Sequence, residues 1–181
     1  MADNIVALND LDILFADFIQ AQLNLSDKQV LISYSQRGQK SSKIDEDVCY
    51  VKVFNEQDER NIYKQRREAF DPETEQVTIT QFAMRTLMLQ VVFYGPNSDV
   101  LSTKLNELFY LNRAKEFLYN NNLALIPDRT NIPNKSYEKI NEQFWERADL
   151  KLHFYNSTSV EEVVDTIDKL DVQIYGLEDK T

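Results

Sequence analysis

Apolar residues in this chain recur at two spacings, that of one helix face and that of an alternating strand. The longest extended pattern is Gln76–Asn97, QVTITQFAMRTLMLQVVFYGPN. Strand side chains alternate, so Val77, Ile79, Gln81, Ala83, Arg85, Leu87, Leu89, Val91 and Phe93 share one side. The first half carries polar residues on both faces and reads as half exposed. From Thr86 both faces turn mostly apolar, which predicts a central strand covered on each side. Gly95-Pro96 ends it, and Asn97-Ser98-Asp99 offers a helix N-cap.

Leu11, Leu14, Phe15, Phe18 and Ile19 mark an amphipathic helix from Leu8 to about Leu23, with Asn9 or Asp10 as cap. Core packing is its expected role. Val30–Tyr34 reads as a short strand, Ser35–Lys43 as a polar loop, and Val48–Phe54 as a second strand. Asn61–Phe70 is basic and precedes the turn Asp71-Pro72-Glu73, so it predicts a strand in hairpin with the central one. Beyond Pro96, Leu101, Leu105, Leu108 and Phe109 make a second helix, which Ala114, Phe117 and Leu118 continue or restart and Asn120-Asn121-Asn122 ends. Leu123–Ile126 reads as a short strand and Pro127–Tyr137 as a surface loop. Phe144–Phe154 alternates again, with the lone tryptophan, Trp145, on the charged face beside Arg147. Val160–Tyr175 reads as an acidic strand paired with the preceding one. Its start has an alternative as a helical turn, because Ser159 and Glu162 resemble a capping box. The fold class is α+β: a mostly antiparallel sheet with long central hairpin strands, packed by an N-terminal helix and a helical segment after the central strand.

Length sets the scale: 181 residues make one domain with a real core, so residues 1–181 are expected to form a single α+β unit. A net charge of -10 argues against a general nucleic-acid binder. No apolar run is long enough for a transmembrane helix, and the N-terminus lacks a signal-peptide pattern. A single cysteine, Cys49, forms no internal disulfide and suits a reducing compartment.

Candidate chemistry is sparse. One histidine and one cysteine build no zinc cluster, and neither a nucleophile elbow, a P-loop nor a dinucleotide fingerprint occurs. A Cys49–His153 pair and the carboxylates of Asp45-Glu46-Asp47 are formal options, with simpler roles inside a sheet and at a strand entrance. No catalytic, cofactor or metal residue is assigned, and no cofactor is expected. What remains is interaction. The candidate interface residues are Arg60, Lys64, Arg66 and Arg67 in the basic strand, Trp145 and Arg147 on the charged face, and Glu161, Glu162 and Asp165 in the acidic segment.

An ordered set of stretches spans most of the chain: VLISYSQRGQKS at Val30–Ser41, DEDVCYVKV at Asp45–Val53, VVFYGPNS at Val91–Ser98, LALIPD at Leu123–Asp128 and QFWERADLKLHF at Gln143–Phe154. Together they resemble the bacteriophage neck terminator (tail terminator) family. That resemblance implies a non-enzymatic structural virion protein at the head–tail junction, made in the host cytoplasm. It further implies a ring of copies, commonly a hexamer, around the DNA path, touching adjacent neck, connector and tail proteins and meeting DNA only non-specifically, with no membrane. A head-completion or stopper protein is the neighbouring alternative. A carboxylate-dependent hydrolase is the alternative of another class.

Overall fold

A computed structural model describes residues 5–33, 43–58, 61, 64–127 and 132–165, with Asp165 placed by its backbone only. The elements are α1 (Leu8–Leu23), β1 (Val30–Ile32), β2 (Val48–Glu56), β3 (Lys64–Asp71), β4 (Gln76–Tyr94), α2 (Ser98–Leu108), α3 (Asn112–Asn120), β5 (Leu123–Ile126), β6 (Asn134–Ile140) and β7 (Gln143–Asp165). The seven strands form one sheet, antiparallel except where β1 runs parallel to β2. This is the expected α+β class.

Two strands organise everything else. β4 has 19 residues and pairs along its whole length with β7, which has 23. At the usual rise, β4 extends about 60 Å. Its other edge is divided: β2 pairs with Thr86–Tyr94 and β3 with Gln76–Ala83. Asn61 bridges the gap. Its Oδ1 accepts the Thr86 N–H at 2.8 Å and its Nδ2 donates to the Glu56 carbonyl at 2.8 Å. Backbone groups between two partner strands are thereby satisfied. The outer edge of β7 is divided likewise, between β6 at Gln143–Asp149 and β5 at His153–Asn156.

The core lies on one face of the upper sheet. Leu87, Leu89, Val91 and Phe93 of β4 alternate inward with Ala148, Leu150, Leu152 and Phe154 of β7 and with Cys49, Val51 and Val53 of β2, all buried. Leu11, Phe15, Phe18, Ile19 and Leu23 of α1 cover them. Phe15 is a hub: its ring centroid lies 5.1 Å from that of Phe154, 5.9 Å from Phe117 and 6.4 Å from Phe109. Asp12 anchors the helix at the sheet edge. β1 ends before Val53, whose N–H would lack a partner. Asp12 Oδ1 accepts it at 2.7 Å while Oδ2 accepts Lys52 Nζ at 2.6 Å. Helix α1 ends at Asn24 in the left-handed conformation.

Several local expectations are corrected. Neither Asn9 nor Asp10 caps α1; Ala7 takes that place without a side-chain bond, and Asp10 sits in the first turn, where its charge suits the helix dipole. Asn97 does occupy the N-cap of α2, as expected, though its side chain makes no cap bond. β4 is not covered on both sides by described elements. Met88, Gln90, Val92 and Tyr94 are half-buried on the face opposite the helices. The stretch read as a loop to Tyr137 contains the start of β6, which joins β7 through a tight turn at Asn141 and Glu142, both at positive φ. Val160–Asp165 is neither a helical turn nor a partner of the preceding strand: it continues β7 without a break. The expected loop Ser35–Lys43, apart from Lys43, and residues 166–175 lie outside the described residues.

Candidate interaction surfaces

Below Thr86 the sheet loses its helices. β3, the first half of β4 and Ser157–Asp165 of β7 form a three-stranded arm. Its residues up to Val164 on β7 are exposed or half-exposed on both faces, and every residue of β3 is exposed. The root is pinned. Arg85 Nε donates to Asn156 Oδ1 at 2.7 Å, Arg85 Nη2 to the Val6 carbonyl at 2.6 Å, and Asn156 Nδ2 to the Asn122 carbonyl at 3.1 Å. Burial pulls the Arg85 guanidinium below its ordinary value. The arm nevertheless carries large apolar side chains in the open: Phe70 is 59 % exposed, Val163 57 %, Val160 45 % and Met84 44 %. Phe70, Val77 and Val164 form one row across one face, and Ala69, Thr78 and Val163 the next row across the other.

The basic and acidic interface candidates sit on opposite edges of this arm. Lys64, Arg66 and Arg67 lie on β3 and Glu161 and Glu162 on β7, with β4 between them. Asp165 lies on the β7 backbone at the far end, and Arg60 is outside the described residues. Arg66 and Arg67 point to opposite faces because they are adjacent in a strand. Arg66 pairs with Glu68 of its own strand at 2.8 Å, with both side chains more than half exposed, so the pair contributes little. Arg67, Thr80 and Glu161 share one row, where Thr80 Oγ1 reaches Glu161 Oε1 at 3.5 Å.

Trp145 and Arg147 belong to a second surface, the helix-free face of the upper sheet. Tyr50, Phe54, Val92, Tyr94, Trp145 and Tyr155 line it, all half-buried. Trp145 packs edge-on against Tyr94, with centroids 6.3 Å apart, so it is partly covered by its own chain. Its Nε1 has no acceptor among the described residues. Arg147 Nε donates to Asp149 Oδ1 and Nη1 to Glu138 Oε2, each at 2.8 Å, while Tyr94 Oη donates to Glu138 Oε2 at 2.6 Å. The Asp149 bond is the foremost cause that raises Arg147. Burial and then the Glu138 bond raise the Tyr94 phenol, and that phenol in turn holds the Glu138 carboxyl below its ordinary value. β6, which the sequence reading missed, supplies Glu138. Its alternation is legible in hindsight as Ser136, Glu138 and Ile140 against Lys135, Tyr137 and Lys139, but two nearby prolines mask it.

The formal catalytic options are separated by the sheet. Cys49 points into the helix-covered core, and burial pushes its thiol far up. His153 lies on the other face, its Nδ1 2.8 Å from Glu56 Oε2. Asp47 is engaged structurally: its carboxylate accepts the Asn97 N–H at 2.9 Å and Asn97 Nδ2 at 2.8 Å. Among the described residues no group of three or more His, Cys, Asp or Glu side chains gathers to hold a metal ion.

A comparison with curated proteins finds no match. The sequence model of a family described as phage neck terminator protein matches residues 9–180, nearly the whole chain. The match takes in the helix-covered sheet, the arm and the polar cluster around Arg147 alike. This protein therefore belongs to the phage neck terminator family, a family of structural phage neck proteins, and is a virion component.

Proposed function

We propose that copies of this protein close into a ring, a hexamer, that terminates the tail and joins it to the head around the DNA path. The ring is built in the host cytoplasm, functions at the head–tail junction and catalyses no reaction. Family membership supports the structural role. The observation that carries the ring is the arm: a three-stranded extension without helices, with Phe70, Met84, Val160 and Val163 in the open. Phe70 and Val160 lie on one face of the arm and Met84 and Val163 on the other, and exposed apolar surface of this kind marks interaction sites. A closed ring requires two different surfaces that meet head to tail, and the arm has two chemically different edges. The helix-free face around Trp145 and Arg147 remains for the adjacent neck, connector or tail proteins. The net charge of -10 repels phosphate and limits sticking as DNA passes.

Imaging of assembled particles with this chain labelled tests the reading. Cyclically arranged label at the neck is expected; label confined to another part of the particle overturns it. Weak duplex binding by the isolated subunit at physiological salt is also expected. Sequence-specific affinity of about 10⁻⁸ M or tighter, the range of DNA-reading proteins, contradicts the passive channel.

A further inference from the structure

We propose that neighbouring copies join by sheet extension, the β3 edge of one arm adding to the β7 edge of the next. This deepens the ring reading and rests on it. Three observations carry it. First, β3 pairs only with β4, and beyond Ser157, whose N–H donates to the Asn122 carbonyl, Thr158–Asp165 of β7 pairs only with β4, so among the described residues each arm edge lacks a strand partner. Such edges present rows of backbone donors and acceptors to another chain. Second, the edges differ in charge: Lys64, Arg66 and Arg67 on one, Glu161 and Glu162 on the other. Complementary edges favour β3 against β7 over either edge against itself. Third, β3 and β7 are both antiparallel to β4, hence parallel to each other. A rotation that carries one arm to the next about an axis to which the strands are inclined keeps their sense, so the new pairing is parallel, and the inclination allows a register offset in a closed ring.

The register is restricted. An odd offset would place the outward face of one arm on the inward face of its neighbour, so the offset is even. Within one arm Glu68, Ile79 and Glu162 share a row. At zero offset the joint sets Arg67 against Glu161 but also Glu68 against Glu162, and like charges directly opposite cancel the gain of the attractive pair. An offset of two residues sets Arg66 against Glu162 and Lys64 against Val160, with the ammonium of Lys64 free to extend past an apolar neighbour. This is the register we assign.

Cysteine pairing between two separately labelled copies tests both the joint and the register. One copy carries Arg66→Cys, the other Glu162→Cys or Val160→Cys; all three positions are on the arm, away from the core. Cys49 is buried and stays silent. Mild oxidation of the mixture is expected to link Arg66→Cys to Glu162→Cys in high yield and to Val160→Cys poorly, while neither copy links to itself. Preferred linkage to Val160→Cys overturns the register. No linkage to either position, in a mixture whose sedimentation shows intact rings, overturns edge joining and leaves the ring standing. No ring under conditions in which tails are terminated overturns the ring reading first. An independent arm uses charge: Arg66→Glu with Arg67→Glu is expected to slow ring formation at least several-fold. Mixing it with a copy carrying Glu161→Lys and Glu162→Lys is expected to restore it. Equal assembly rates for all of these across ionic strengths also overturn the joint.

Discussion

Asp12 is the most exposed point of the fold's energetics although it is only 1 % accessible. Its carboxylate makes two bonds at once, to the Val53 N–H and to Lys52 Nζ. Asp12→Ala removes both and leaves a buried edge N–H without an acceptor. An unsatisfied buried backbone donor costs about 1–3 kcal/mol. Loss of one partner from a fully buried ion pair costs roughly 3–5 kcal/mol, which is an upper limit here because the Lys52 side chain is 21 % exposed. The two figures overlap in what they count, so about 3 kcal/mol is expected in total. For a chain of this length each kcal/mol lowers the melting temperature by about 2–4 °C, giving a drop of roughly 6–12 °C. Urea unfolding followed by far-ultraviolet circular dichroism measures it, with an unchanged slope required for the comparison. Lys52→Met alone is expected to cost less, because Asp12 keeps its bond to the backbone. A double variant less damaged than the sum of the singles completes the argument. If Asp12→Ala unfolds within about 0.5 kcal/mol of the parent, the size of a neutral surface change, the anchor has no energetic role and the reasoning fails.

Other positions give separate tests. Gly95 has φ +114°, and a Cβ there would stand 2.6 Å from Asp47 Oδ1 and 2.7 Å from the Glu46 carbonyl oxygen. Gly95→Ala is therefore expected to lose about 1–3 kcal/mol by overpacking and strain; chemical denaturation reads it, and an unchanged midpoint refutes it. The folded protein holds the Glu138 carboxyl below its ordinary value near 4.5. Its contribution to stability is thus complete above that value and lost as pH falls through the lower, folded one. Glu138→Gln should flatten the acid limb of a stability–pH curve; an identical limb contradicts the assignment. The Cys49 thiol, buried and pushed far up, is expected to resist a thiol reagent in the native protein and to react fully in denaturant. Rapid native labelling would show that α1 does not seal this face.

The element pattern was legible without the structure wherever periodicity and punctuation agreed. α1 ran from Leu8 to Leu23 because one apolar stripe defines a helix. β4 began at Gln76 and ended at Tyr94 because Pro72 precedes it in the turn and Gly95-Pro96 follows it. The hairpin of β3 with β4 and the short β5 were legible for the same reason. The resemblance carried by ordered stretches had already pointed to the family. What the chain did not disclose are facts of neighbourhood. Alternation shows which residues share a face, but not whether a helix covers that face, so β4 read as covered on both sides. β7 read as two elements because its apolar face ends at Phe154 and polar residues take over, although the backbone ladder with β4 runs on to Asp165. The basic and acidic segments were legible as two partly exposed strands of opposite charge. Only the tertiary structure decided that they are the two edges of one arm, because strand order is set by long-range pairing with β4, which no local pattern encodes. The same holds for Arg147: its charge was visible in the chain, and its partners Glu138, Asp149 and Tyr94 became known only when three strands were laid side by side.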